Sequence, residues 1–214
     1  MRDHTVNPFR EGRFRLLLLL CGAFAISQPA RAEEALPFAP SQICRYSVDN
    51  IPRSIAIRQG SDLWFGYDLE KALVFKVWKA PANESGVIVK SFKARSSGTA
   101  LFEGKTAEGW TIENDGKSLP LSARYLGCTQ HKENFELRWE LSHPDGTINL
   151  IERIATAPAG DTSPPVRALR VESLPEGVSL ALPAAYGEAW ALTGPDGEPV
   201  ETLTAAAWHQ LSLR

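Results

Sequence analysis

Between Phe135 and Ser142 the chain alternates without a break: Phe135, Leu137, Trp139 and Leu141 are apolar, while Glu136, Arg138, Glu140 and Ser142 are polar. Period two is the repeat of a β-strand, whose successive side chains leave on opposite faces, so this stretch reads as a strand with one dry and one wet face. His143-Pro144-Asp145-Gly146 then supplies turn residues, and 147–154 runs back as the hairpin partner.

The same reading extends along the chain. Strands are predicted over 54–58, 63–67, 73–78, 87–92, 100–102, 110–113, 121–128, 166–172, 178–182, 189–192, 200–204 and 208–213. Breaks fall at Gly60-Ser61, Asn114-Asp115-Gly116, 158–165, Pro175-Glu176-Gly177 and Gly194-Pro195-Asp196-Gly197, all rich in turn formers. Many short strands with frequent turns imply an all-β fold, an antiparallel β-sandwich. The best helical stretch is short and weak, 203–208, and the longest break, 158–165, is the expected mobile loop.

The first 32 residues follow a different logic. Arg2, Arg10, Arg13 and Arg15 precede an unbroken apolar run over 16–26, after which Ala30-Arg31-Ala32 offers a small-x-small cleavage site. This is the pattern of a secretory signal peptide. A membrane anchor is the competing reading, but crossing the bilayer core takes about 20 apolar residues and this run is shorter. Residues 1–32 are therefore expected to be cleaved, 33–43 (with Pro37 and Pro40) to form an extended leader, and 44–214 to form a single domain without a transmembrane segment. The expected location is periplasmic or secreted.

Cleavage removes five of the 23 basic and two of the 25 acidic residues, leaving 18 against 23 and a formal charge of −5. A mildly acidic domain without a Lys/Arg cluster argues against nucleic acid or an anionic membrane as partner. Cys44 and Cys128 survive processing, and export favours a disulfide between them. Closing so long a loop contributes roughly 4 kcal/mol in the chain-entropy model. The alternative is two separate buried thiols.

No signature of a catalytic nucleophile with its base, or of a carboxylate pair, is legible, so no catalytic residue is assigned. His131 and His143 lie beside polar or turn residues and read as exposed loop histidines. His209 is in phase with Leu211 and Leu213 and reads as a core imidazole with a satisfied hydrogen bond. No spacing builds a metal site: Glu140 and His143, three apart on a strand, point to opposite faces. No cofactor is expected. The acidic pairs Asp68 with Glu70 and Glu113 with Asp115 read as turn residues, with a loop-built calcium site as the alternative. Asn83-Glu84-Ser85 matches a glycosylation acceptor and serves only as a hint of exposure.

Six tryptophans divide by strand phase. Trp110, Trp139 and Trp190 share the phase of apolar neighbours and are expected in the core. Trp64 points opposite to Leu63, Phe65 and Tyr67; Trp78 opposite to Leu73, Phe75 and Val77; Trp208 opposite to His209, Leu211 and Leu213. Aromatic rings on an open sheet face stack on sugars or on a partner's apolar surface; otherwise a leader, a loop or a second sheet covers them. Trp64 and Trp78 are the candidate contact residues, with Asp68 a polar neighbour.

The stretches Pro52-Arg53-Ser54-Ile55-Ala56-Ile57, Leu63-Trp64-Phe65-Gly66-Tyr67-Asp68 and Val77-Trp78 resemble a β domain found beside c-type cytochrome and sugar-dehydrogenase-like domains in large exported bacterial proteins. The order and spacing of 125–152 are similar too. The chain departs from that pattern at Lys79-Ala80-Pro81, where a glycine- and aromatic-rich continuation belongs, and it has no haem-binding motif. The resemblance implies an accessory role near extracytoplasmic redox or carbohydrate proteins, with no catalytic residues to carry over. The expected function is a non-catalytic accessory domain that binds a carbohydrate or an extracytoplasmic protein. The alternatives are a glycan-active enzyme and a structural subunit of an envelope complex. Non-reducing mass spectrometry of the exported protein is expected to show a chain that starts at Glu33 and lacks two thiol hydrogens; an intact residue 1–32 segment would refute the export reading.

Overall fold

Turn chemistry cuts the chain into short strands, and the computed structural model assembles them into three sheets, an all-β sandwich. It describes residues 43–81, 85–91, 93–104, 109–114, 116–144, 146–155 and 164–214, with the backbone alone for 43–46. The expected signal peptide, the expected leader up to residue 42, residues 83 and 84 of the glycosylation pattern and 158–163 of the expected mobile loop lie outside the described residues.

The strands run β1 (Ile43–Val48), β2 (Ile51–Gln59), β3 (Leu63–Asp68), β4 (Leu73–Lys79), β5 (Val87–Lys90), β6 (Lys93–Ser96) and β7 (Thr99–Glu103). Next come β8 (Thr111–Asn114), β9 (Lys117–Pro120), β10 (Ser122–Gln130), β11 (Asn134–His143), β12 (Gly146–Ala155), β13 (Val166–Val171) and β14 (Val178–Ala181). A 3₁₀ segment, Ala184–Ala189, leads to β15 (Trp190–Thr193), β16 (Thr202–Leu203) and β17 (Trp208–Leu213). The expected helix at 203–208 does not form. Leu203 is spent on pairing with Leu180, and Ala205 bridges to Val171.

One sheet has the order β5-β6-β1-β2-β3-β4-β7, a second β10-β11-β12-β13-β17-β15 and a smaller third β16-β14-β8-β9. All neighbours are antiparallel except β1 with β6. The two large sheets share a core. Ile55, Ile57, Phe65, Tyr67 and Val77 from the first pack with Leu137, Trp139, Leu150, Leu169 and Leu211 from the second, and Ile112, Leu180 and Leu203 from the third join them. The expected core tryptophans, Trp110, Trp139 and Trp190, are all buried there. His209 is buried as well; its Nε2 accepts the Thr204 N–H at 3.3 Å, and burial lowers its proton affinity.

Four register slips interrupt the simple alternation among the described strands, and two of them redirect a large side chain. On β10 the register slips between Tyr125 and Gly127, leaving Leu126 unpaired and exposed at the sheet edge. Between β3 and β4 it slips at Gly66/Tyr67, where Lys76 and Val74 find partners and Phe75 between them does not. An extra residue re-phases a strand. Phe75, expected beside Leu73 and Val77 in one row, therefore turns to the opposite face and joins a second apolar cluster with Trp64, Trp78, Val87 and Ala94.

Deep in the main core lies a polar knot. Tyr67 Oη donates to Glu152 Oε1 at 2.5 Å, and Arg167 Nη1 donates to the same oxygen at 2.9 Å and to Tyr186 Oη at 3.2 Å. The Val74 N–H also donates to Tyr186 Oη, at 3.0 Å. Glu152 and Arg167 are both 0 % exposed. Burial works against the charge of Arg167, but the Glu152 carboxylate and the Tyr186 and Tyr67 hydroxyls outweigh it and hold the guanidinium protonated. Burial, then the Glu152 carboxylate, pushes the Tyr67 hydroxyl well above its usual range. The guanidinium also lies over the rings of Tyr186 (4.8 Å) and Trp190 (4.5 Å), which offer it π-faces. Removing one partner strands the other charge out of water. Arg167→Leu is expected to lower the unfolding free energy in urea by about 3–5 kcal/mol, and Arg167→Leu with Glu152→Leu to recover most of that loss; equal losses in the single and double variants would contradict a coupled pair.

Candidate functional site

Trp64 and Trp78 stand opposite each other in the β3–β4 register. Their rings stack at a centroid separation of 5.9 Å and an interplanar angle of 10°. Both point away from the main core, as strand phase predicts, yet they are 2 % and 0 % exposed. The covering element is the β5–β6 hairpin, whose Val87 and Ala94 pack on the rings. Trp78 Nε1 donates to the Gly86 carbonyl at 2.8 Å. A Cβ on Gly86 would fall 2.1 Å from the Trp64 indole nitrogen, so only glycine lets the backbone pass this closely. The expectation that these two rings form an open platform is corrected: they are the floor of a small second core. Strand phase gives the side on which each ring leaves β3 or β4 but not which other segment packs there, and that β5 and β6 fold over this side is set by their pairing with β1.

Asp68 is not a neighbour of a ligand surface either. It is 5 % exposed, and its Oδ1 accepts the Glu70 N–H at 2.9 Å, closing the β3–β4 turn. Burial raises its proton affinity, against the lowering effect of that backbone hydrogen bond. Cys44 lies on β1, paired with Ala56, and Cys128 lies on β10, paired with Leu137 in the other large sheet. The side chain of Cys44 is outside the described residues, and so is the expected bond between the two.

The third outward tryptophan behaves differently. Trp208, on β17, is half-buried on the outer face of the six-stranded sheet, directly opposite Arg170 on β13. The Arg170 guanidinium lies 5.9 Å from the centre of the Trp208 ring. Arg153, on β12, stands opposite the small Ala168 and reaches past it to stack over the same ring at 4.4 Å. Arg153 is tied at 3.0 Å to Glu136, its partner across β11–β12, and Glu136 also pairs with Arg138 at 2.6 Å. Arg124 pairs with Glu140 at 3.0 Å. Four arginines thus share this face with Glu136, Glu140 and, two residues beyond Arg170, the exposed Glu172, a surplus of one positive charge on a mildly acidic domain. Arg170 forms no ion pair among the described residues.

Comparison with protein-family models, with curated proteins and with solved structures gives no match. The face must therefore be read from its own chemistry. The orientation of Trp208 was legible in strand phase, and so was the wet face of 135–142. That Arg153 and Arg170 converge on Trp208 was not, because it depends on β13 lying between β12 and β17. Among the described residues no group of three or more metal-ligating side chains is present.

Glu136 organises the charges. Its burial opposes ionisation, but hydrogen bonds and charge from Arg138 and Arg153 prevail and hold its carboxyl below the usual carboxylate range. A lowered carboxyl contributes stability that is present above its unfolded-state pKa and is lost as pH falls through the folded one. Glu136→Gln is thus expected to lower Tm at neutral pH, with the gap to the native protein closing as the solution is acidified below the ordinary carboxylate range. A gap independent of pH in thermal scans would show that the carboxylate charge is not what matters.

Proposed function

We propose that this chain is an exported, non-catalytic β-sandwich accessory domain that docks an extracytoplasmic protein through the outer face of its six-stranded sheet. The observation that carries the reading is Trp208, half-buried on that face with the Arg153 and Arg170 guanidiniums 4.4 and 5.9 Å from its ring centre. Trp and Arg are the side chains most enriched among residues that dominate protein–protein binding energy, because both combine large planar contact area with polar edges. The surplus of positive charge gives the partner's chemistry: an acidic surface bearing carboxylates that Arg170, without an ion pair among the described residues, is placed to receive.

Export rests on the basic and apolar character of residues 1–32, and the redox or carbohydrate-processing setting rests on the resemblance carried by Pro52–Asp68 and Val77-Trp78. A carbohydrate platform built on Trp64 and Trp78 lacks accessible rings, since both lie beneath the β5–β6 hairpin. Trp208, whose ring is already attended by guanidiniums, suits carboxylates and planar groups of a protein better than a sugar ring needing a bare aromatic face.

The test is co-purification from the native envelope fraction with cross-linking. The native domain is expected to retain a stoichiometric acidic partner cross-linked to strands β13 and β17. Trp208→Ala is expected to weaken that association by about 2 kcal/mol or more, and Arg170→Glu to abolish it. A partner held equally well by both variants, or cross-linked to another face, would sink the reading.

A further inference from the structure

The other large sheet carries a second, independent feature, on the outer side of the hairpin that covers the tryptophans. In the β5–β6 pairing Ile88 faces Arg95 and Lys90 faces Lys93. Directly opposed residues of an antiparallel pair, and residues two apart on one strand, share a face. Ile88, Lys90, Lys93 and Arg95 therefore occupy one side of the hairpin and are exposed, while Val87 and Ala94 occupy the other and are buried on the tryptophan pair. The exposed side borders a cleft of about 530 Å³ whose far wall is the Asp49-Asn50 turn. Val48 and Ile51 pair across that two-residue turn, and both of its residues have positive φ, 50° and 66°, the conformation of a tight type I′ hairpin. The parallel β1–β6 pairing and the hydrogen bond from Asp49 N–H to Ala94 carbonyl, 3.0 Å, fix the turn against the hairpin.

Like charges set directly opposite each other destabilise a strand pair, and here three cations share one face. The carboxylate that lines the cleft, Asp49, forms no ion pair with them. Asp49 Oδ1 accepts the Ser96 N–H at 2.8 Å, Oδ2 accepts the Ser96 hydroxyl at 2.6 Å, and Lys76 lies 3.7 Å from Oδ2 while pairing more closely with Glu103, at 2.5 Å. Lys90, Lys93 and Arg95 form no ion pair among the described residues. A concave site of this size lies in the range that encloses small molecules. Ile88, 47 % exposed, adds an apolar wall beside the charges.

We propose that this cleft binds a small organic polyanion, one with two or more carboxylate or phosphate groups and an apolar portion. Arg95 and the two lysines receive the anionic oxygens, the Asn50 amide adds a hydrogen bond at the far wall, and the apolar portion lies on Ile88. The domain as a whole is acidic, so the local reversal of sign draws anions to this spot rather than coating the surface with them. Binding also relieves the repulsion between Lys90 and Lys93 at the hairpin tip.

The experiment is a backbone ¹⁵N–¹H NMR titration of the mature domain with citrate and, separately, with inorganic phosphate, each matched in ionic strength by sodium chloride. The expected result is saturable shifts confined to 47–50 and 87–96, with a millimolar or tighter Kd for at least one anion. The tighter of the two tells polycarboxylate from phosphate. Lys90→Gln with Lys93→Gln and Arg95→Gln should weaken binding about tenfold or more, while indole fluorescence from the covered Trp64/Trp78 pair stays that of the native protein. Arg95→Gln alone provides a milder variant should the triple one disturb the hairpin. Shifts no larger than those from sodium chloride with both anions, or binding undiminished in the variants, would overturn the assignment.

Discussion

A fully buried ion pair is an expensive thing to place in a β-sandwich, and the arrangement of the two large sheets depends on one. Glu152 and Arg167 sit on adjacent strands, and their charges are tolerable only because each finds the other together with two tyrosine hydroxyls. The pair acts on register. A one-residue slip of β12 would expose Glu152 and drive Arg153 into the core, breaking the knot and burying a new charge at once. Tyr67 extends the constraint to the facing sheet, since its hydroxyl reaches Glu152 only when β3 and β12 cross at one position. Hydrophobic burial supplies the drive to pack two sheets, whereas the polar knot selects which packing is reached.

The second core has the opposite character. It is small and apolar, and it depends on contact between stacked indoles and a glycine. By holding the β5–β6 hairpin against the sheet, the Trp64–Trp78 stack decides which side of that hairpin meets solvent. The inner side offers Val87 and Ala94, and the outer side is left to Lys90, Lys93 and Arg95. An aromatic pair out of reach of any ligand thereby orients a charged surface that a ligand can meet.

The strands with clean alternation, β11 and β12 above all, were legible from the sequence because one dry face and one wet face leave a period that no other structure shares. β1, β6 and β9 were not. Lys93-Ala94-Arg95-Ser96 and Lys117-Ser118-Leu119-Pro120 contain too few apolar residues to show a period, and they become strands only because neighbours offer a ladder. Phe75 illustrates a different failure: its phase was read correctly for an unbroken strand, and the bulge beside Gly66 reversed it. At the level of the site, strand phase identified Trp64, Trp78 and Trp208 as outward-facing but could not say which was covered. Coverage is a property of topology, set by contacts remote in sequence, and composition carries little trace of it. The same limit hid the convergence of Arg153 and Arg170 on Trp208.

The bulge on β10 bears on how this domain meets other molecules. β10 is an outermost strand, and a long regular edge offers unpaired N–H and C=O groups on which another chain can continue the ladder. The slip at Tyr125/Gly127 interrupts that row midway and leaves Leu126 pointing outward without a regular register beside it. An incoming strand would find two short runs out of step rather than one continuous template. The irregularity thus works against end-to-end growth of the sheet into fibres and favours approach from above, where the side chains of the flat face discriminate between partners, over approach from the side, where backbone pairing accepts almost any sequence.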